Sequence, residues 1–301
     1  MTFEQLSIFV AVAEREHLTR AAEALRLTPS AVSAAIRNLE AFYRVALFHR
    51  VGRRIELTEE GRQFLEEARA VLRRVRSAEQ TLAELGGLMR GTLVVEASQT
   101  VASYWLPPVL MRFHHAHPGV SLKFTLGNTT SVTAAVLEGR ADIGFVEGVV
   151  DEPALTVARL IDDAILVVTA PDHPWADGRP LTPRDLVDGS DWVMREAGSG
   201  TRAAFEAAIA ARGVDPADLK VVLELPSNEA VLSAVRTGGS ATVVAGVAAR
   251  CFVDAARLAR ANFTLPPRAF SVLRHKERRV SRAADALERL AREAAASPAA
   301  E

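Results

Sequence analysis

A chain of 301 residues with a formal net charge of -1 is long enough for more than one compact unit and is not polybasic as a whole, so any contact with nucleic acid must come from a local basic patch. Apolar residues make up 49% and charged residues 24%, which excludes a disordered chain, and no stretch approaches the roughly 20 apolar residues of a membrane-spanning helix. The opening MTFEQLSIFVAVAEREH lacks a basic segment ahead of its apolar part, so no export signal is expected and a cytoplasmic protein is.

In chain order, Leu6, Phe9, Val10 and Ala13 follow helical spacing over Phe3 to Glu14. A short helix is predicted from about Thr19, its candidate N-cap, to Leu25. After a break at RLTPS, a third helix opens with Thr28 as cap and Pro29 in the first turn, and carries Ala31, Val32, Ala35, Ile36 and Leu39 on its inner face. The stretch LFHRVGRRIEL (47–57) reads as a two-stranded wing turning at Gly52. From Thr58 to Gly86 apolar residues recur every three or four positions among charged flanks; a helix that long with a single stripe calls for a partner helix, so it reads as a linker and dimerisation element.

Beyond Arg90, strand-like runs (TLVVEA, VSLKFTL, ADIGFV, ILVVTA, DWVMR, VVLEL, ATVVA) alternate with helix-like runs such as WLPPVLMRFHHAH and TRAAFEAAIAARG. That alternation predicts α/β structure with mainly parallel sheets, whose ligands bind beyond the strands' carboxyl ends. The lone Cys251 permits no intramolecular disulfide and is expected to be a small buried hydrophobe. His114, His115 and His117 end a helix without a nearby Cys or carboxylate set, so capping or solvated histidines are expected rather than a metal site, and no cofactor is expected.

The first sixty residues carry the local basic patch. Between Arg26 and Arg54 the charged side chains are Arg26, Arg37, Arg44, Arg50, Arg53, Arg54 and a single acid, Glu40. Helix–turn–helix geometry offers the second helix to the major groove by its N-terminal end. That places Thr28, Pro29, Ser30, Ser33 and Arg37 toward DNA, with Arg50, Arg53 and Arg54 of the wing available to the minor groove or to phosphate.

The order Ala21-Ala22, Leu25, Ser30-Ala31-Val32-Ser33, Ile36, Leu39-Glu40, Leu47-Phe48, Arg50, Leu57-Thr58, Gly61 resembles the signature of the LysR-type transcriptional regulators. Three positions depart from it. Pro29 stands where Gln is frequent, Ala34-Ala35 where Arg-Gln is frequent, and Arg44 where Gly usually ends the helix, at a cost of up to ~1 kcal/mol if left-handed geometry is kept. The resemblance implies a winged helix-turn-helix (1–58), a linker helix (59–90) and a periplasmic-binding-protein-like effector module (91–301), with subdomain I at 91–162 and 268–296 and subdomain II at 163–267. It also implies a homodimer or homotetramer on double-stranded promoter DNA, acting on RNA polymerase in response to a small molecule, and no enzyme.

The cleft positions so implied are Ser98, Gln99, Thr100, Asn128, Thr129, Glu147, Gly198, Ser199, Thr201, Arg202 and Asn228. Hydroxyls, amides and backbone N–H groups at helix starts suit an anion, although each loop taken alone reads equally as a helix cap. The strings Arg195–Arg202 and Ile143–Gly148 resemble the family's regulators of sulfur assimilation and carbon fixation, implying sulfite, sulfate, a phosphosugar or a carboxylate as effector. Glu147 opposes an anion unless it is protonated, bridged by water or paired with Arg195 or Arg202. A solute-binding protein would account for residues 91–296 but not for the first ninety; an α/β enzyme lacks a visible catalytic set.

Overall fold

The computed structural model describes residues 1–51, 54–86 and 89–297, and only the backbone of Arg50, Val51, Arg54, Gln80, Ala83, Glu84 and Leu85. The chain divides into two units, 1–86 and 87–301. The first contains α1 (Phe3–Arg15), α2 (Leu18–Leu25), α3 (Pro29–Tyr43), an antiparallel ribbon of β1 (Phe48–Val51) and β2 (Arg54–Leu57), and the long α4 (Glu59–Leu85).

α3 forms where the sequence predicts it, but Ala31, expected on its inner face, is exposed, because one residue before Val32 on the helix turns about 100° away from the core. The Thr28 hydroxyl accepts from the Ala31 N–H at 3.2 Å, Pro29 occupies the first turn, and Val32, Ile36 and Leu39 are buried against Leu6, Phe9 and Val12. The cap of α2 differs from expectation: His17 accepts from the Arg20 N–H, and Thr19 lies inside the helix. An imidazole nitrogen two residues earlier lets the helix start at Leu18, where a Thr19 cap would start it at Arg20. Arg44 ends α3 in the left-handed region (φ 54°, ψ 39°), its N–H returning to the Glu40 carbonyl.

Three contacts pin the ribbon to the helices. The Glu40 carboxylate accepts the N–H groups of Leu47 and Phe48 at 2.8 and 3.1 Å. Thr58 donates its hydroxyl to the Ala46 carbonyl and accepts from the Gly61 N–H. Gly61 sits so close to the Leu47 carbonyl that a Cβ there would lie 2.1 Å from its oxygen.

The second unit holds two five-stranded sheets. One is ordered β4-β3-β5-β12-β6, from β3 (Gly91–Ser98), β4 (Val120–Gly127), β5 (Ile143–Glu147), β6 (Leu155–Asp163) and β12 (Arg268–His275). The other is ordered β11-β7-β10-β8-β9, from β7 (Ile165–Thr169), β8 (Asp191–Arg195), β9 (Val221–Leu225), β10 (Ser240–Ala245) and β11 (Ala259–Arg260). α5 (Leu106–Ala116) and α11 (Arg282–Ala296) cover one face of the first sheet, and α6 (Thr129–Glu138) the other. In the second sheet α7 (Pro183–Asp188) and α8 (Gly200–Ala210) cover one face, α9 (Asn228–Val235) and α10 (Gly246–Asp254) the other. Coverage on both faces is why the central strands read as unbroken apolar runs.

The sheets are mixed rather than mainly parallel. β12 runs antiparallel to β5 and β6, and β7 runs antiparallel to β10 and β11. The chain leaves the first sheet along β6 and returns along β12, and strands that carry the chain out and back lie antiparallel. Cys251 is exposed, not buried, because α10 turns Ala248 and Ala249 inward and Cys251 away. Among the described residues no helix is long and apolar enough to cross a membrane.

Two substitutions test these assignments by amide hydrogen exchange of α3. Arg44→Gly relieves the left-handed penalty and is expected to slow exchange, stabilising by up to ~1 kcal/mol. Glu40→Ala strands two partly buried N–H groups and is expected to destabilise by about 2 kcal/mol, with faster exchange across α3 and the ribbon.

Candidate functional site

In the first unit, the N-terminal end of α3 presents Thr28, Pro29 and Ser30 to solvent, with Ser33 half-buried and Arg37 exposed. The Thr28 and Ser30 hydroxyls lie 3.0 Å apart, and the Arg37 guanidinium donates to the Ser33 hydroxyl at 2.6 Å. One helix end thus carries three hydroxyls and an arginine whose direction one of them sets, a surface able to engage base edges and phosphate. Arg53 lies outside the described residues, and the side chains of Arg50 and Arg54 lie outside the description too.

In the second unit, the carboxyl ends of β3, β5 and β8 meet the starts of α6, α8 and α9. The chain after β3 winds through a π-helical turn, Val101–Trp105, before α5. Gly200 opens α8 against β5 so closely that a Cβ there would lie 2.1 Å from the Glu147 carbonyl oxygen.

Two nearly fully buried arginines organise this place. The Arg195 Nε and Nη2 donate to the two carboxylate oxygens of Glu196 at 2.8 and 3.0 Å, and Nη1 donates to Gln99 and Asn228 at 3.1 and 3.0 Å. Arg268 donates to Asp163 through Nε and Nη2 (3.4 and 3.2 Å), to the Thr100 hydroxyl (3.4 Å) and to the Thr201 hydroxyl, and lies 3.8 Å from Glu147. Burial raises the Asp163 carboxyl above its usual range, against the pull of Arg268 and the Val247 N–H.

The amide of Gln99 is filled on both sides. Its oxygen accepts from Arg195 and from the Asn228 N–H, and its nitrogen donates to Glu229 at 2.8 Å and Ser103 at 3.3 Å. Thr100 also accepts from the Asn228 amide at 3.1 Å. The Ser98 hydroxyl donates to the Glu147 carboxylate, and Thr129 donates to the Glu147 carbonyl at 2.9 Å. Asn128 caps α6 and reaches Glu196 and the Ala197 carbonyl, while the Gly198 carbonyl accepts from the Thr130 N–H.

The structure therefore brings Ser98, Gln99, Thr100, Thr129, Glu147, Thr201 and Asn228 into one buried polar cluster, with Asn128 and Gly198 beside it. Ser199 is buried at the start of α8, its hydroxyl caps nothing, and it lacks a partner among the described residues. Arg202 does not join the cluster: it binds Glu206, Glu224 and the Arg195 carbonyl. Glu147 faces Arg268 rather than Arg195 or Arg202. Sequence reasoning missed Arg268 and Asp163 as site residues because both lie on strands without a loop signature. The available signal is a charge at each of the two chain crossings, the second Asp of Asp162-Asp163 and Arg268 after two prolines.

Three uncommitted donors remain. Thr100 and Thr201 accept through oxygen and retain their hydroxyl hydrogens, and the Ser199 hydroxyl is unused. The uncapped start of α8 adds its helix-end dipole. Among the described residues no group of three or more His, Cys, Asp or Glu is placed to hold a metal. Chemically, the arrangement can orient and hydrogen-bond an acceptor-rich small molecule.

Comparison with known proteins agrees with both halves. Residues 3–62 match the family model "Bacterial regulatory helix-turn-helix protein, lysR family", and residues 86–296 match "LysR substrate binding domain". The chain is 35% identical over 238 residues to the uncharacterized HTH-type transcriptional regulator YeiE of Escherichia coli (strain K12), covering 79% of this chain and 78% of that protein. It is 33% identical over 244 residues to the RuBisCO operon transcriptional regulator of Allochromatium vinosum (81% and 79%). To the HTH-type transcriptional regulator CysL of Bacillus subtilis (strain 168) it is 30% identical over 244 residues (81% and 80%). The fold is similar to full-length CbnR in complex with its target DNA (TM-score 0.69, 21% identity, 98% of this chain and 100% of that one). The chain belongs to the LysR family of DNA-binding transcriptional regulators, with an N-terminal helix-turn-helix and a two-part α/β effector-binding module.

Proposed function

We propose that this regulator senses a small oxyanion held among Thr100, Ser199, Thr201 and the start of α8, and reads promoter DNA through Thr28, Pro29, Ser30, Ser33 and Arg37 with Arg50, Arg53 and Arg54 of the wing. The observation that carries the effector reading is the set of three hydroxyl donors left over beside an uncapped helix start. The names of the relatives support the class: one regulates a RuBisCO operon, and CysL resembles this chain over most of its length. Sulfite, sulfate, a phosphosugar or a small carboxylate fits these donors. Glu147, satisfied by Ser98 and Arg268, limits how much negative charge the ligand brings.

Subdomains 91–162 with 268–296 and 163–267 follow the two sheets, with the ligand between them; 1–58 binds DNA and 59–90 links. The protein works in the cytoplasm as a homodimer or homotetramer. Unpaired edge strands with exposed apolar side chains, Phe124 and Leu126 on β4 and Val221, Val222 and Leu223 on β9, support self-association. Two recognition helices then meet a two-fold related operator. The effector alters contact with RNA polymerase by preferring one arrangement of the sensor over another.

Arg37→Ala is expected to weaken binding to the promoter on the order of tenfold and to lower the salt dependence, whereas Ser33→Ala shifts sequence preference more than salt dependence. Gel shifts at several salt concentrations on promoter and scrambled duplex separate the two effects. Thr100→Ala and Ser199→Ala are each expected to abolish the thermal shift given by sulfite, sulfate, a phosphosugar or a carboxylate, Ser199→Ala with the ligand-free melting curve in place and Thr100→Ala with a lowered but still cooperative ligand-free transition, since it takes an acceptor from Arg268 and Asn228. An intact shift in both variants removes these residues from the site.

A further inference from the structure

We propose that the Arg268–Asp163 pair is the coupling element of the sensor, tying the two helix starts that face each other across the polar cluster to the two strands by which the chain crosses between sheets. The assignment of an effector to that cluster is the reading this rests on; the hinge role itself needs no ligand.

The argument is one of placement. Asp163 is the last residue of β6 and Arg268 the first of β12, and they are register partners. One residue after Asp163 the chain enters β7 of the other sheet, and two prolines precede Arg268. The pair therefore sits where both connections between the sheets pass. It is also withdrawn from water, each side chain being 3% exposed. At such a site a charge demands fixed partners.

The partners come from both sides. Arg268 donates to Thr100, ahead of the π-helical turn in the half built on the first sheet, and to Thr201, in the first turn of α8 in the half built on the second. Asp163 takes the other face of the guanidinium and also accepts the N–H of Val247, in the first turn of α10. The carbonyl of the intervening Ala164 accepts from the Gly246 N–H at 2.6 Å. One planar fork thus links two crossing strands and two helix starts, and a carboxylate links the same strands to a third helix start.

A lysine cannot replace this. Its three donors sit on one nitrogen and cannot span Asp163, Thr100 and Thr201, which the guanidinium reaches from Nε, Nη1 and Nη2. When a ligand accepts the hydrogen of Thr100 or Thr201, that hydroxyl oxygen becomes a better acceptor for Arg268, because chains of hydrogen bonds polarise one another. Occupancy is then felt at the crossing strands without direct contact.

The test measures the distance between the halves in the full-length protein. One spin label is placed on native Cys251, which is exposed on α10, and a second on His115→Cys, at an exposed position of α5. Labelled chains are diluted into an excess of Cys251→Ser protein so that only distances within one chain are read. Without ligand, Arg268→Lys and Thr201→Val are each expected to broaden the distribution or add a displaced peak. The double variant is expected to add little to either, since both cut the same link. Thr201→Val, nearly isosteric, keeps the test decisive where Arg268→Lys folds poorly. Distributions in both variants that superimpose on the parent's overturn the proposal. Sodium sulfite, sulfate and phosphate are then added: a shift in the parent that is lost in Arg268→Lys, while that variant keeps the thermal shift given by the same anion, supports coupling, and a parent shift kept in full by Arg268→Lys overturns it. No shift in the parent with any of the three counts against the oxyanion reading and leaves the hinge result to the ligand-free distances.

Discussion

Charge taken out of water is the constraint around which the sensor half is built. Arg195 and Arg268 each lose hydration worth several kcal/mol, a loss offset only where carboxylates and polar groups hold fixed positions around them. Those positions are drawn from both sheets: Glu196 and Asn228 with Gln99 for one arginine, Asp163 and Thr201 with Thr100 for the other. Satisfying two guanidinium groups therefore specifies how the two halves meet. Apolar burial between them would favour contact without fixing its angle, because the hydrophobic effect has no direction.

The same chemistry makes the arrangement responsive. Four ionisable side chains are nearly fully buried here: Arg195, Arg268, Glu147 and Asp163. Burial holds the Asp163 carboxyl above its usual range, against the pull of Arg268 and the Val247 N–H. Under the proposed reading, an entering oxyanion would meet hydroxyl hydrogens and a helix start rather than a bare cation, an interaction of hydrogen bonding more than of neutralisation. Its binding energy can bias the arrangement of the halves only to the extent that Thr100 and Thr201 sit differently in the alternatives.

How much of this was legible in the sequence follows from what kind of signal each residue leaves. The capped helices and the central strands were readable because local rules govern them: Thr28 before Pro29, Asn128 before Thr129, apolar runs between turns. Most of the cluster was readable too, since Ser98, Gln99, Thr100, Thr129, Thr201 and Asn228 stand at helix starts. β6 and β12 were not anticipated. β6 is only partly buried and is parted from β7 by the single residue Ala164, so the two read as one run without a turn. Arg268 and Asp163 acquire their role by pairing across more than a hundred residues, which no local pattern records. Arg202 misled for the opposite reason: its place in a glycine-rich loop suggested a ligand, while Glu206 one turn on and Glu224 on the neighbouring strand had already claimed it.

The DNA-binding unit divides its signature residues in an instructive way. Glu40, the one acid of the basic stretch, serves the ribbon rather than DNA, receiving the Leu47 and Phe48 N–H groups. Thr58 and Gly61 close the same corner, and Leu39, Leu47 and Leu57 fill the core beneath it. These are the positions that carry most of the family resemblance, and they build the scaffold that aims α3. The proposed reading falls to Ser30, Ser33 and Arg37, beside Pro29, Ala34 and Ala35, where this chain departs from the family signature. Of these, Ala35 also packs partly against the core and Pro29 occupies the first turn of α3, so change there touches the scaffold as well as the surface. Membership in the family thus fixes how α3 is presented, and the operator it selects depends on the few side chains that the presentation leaves free to vary.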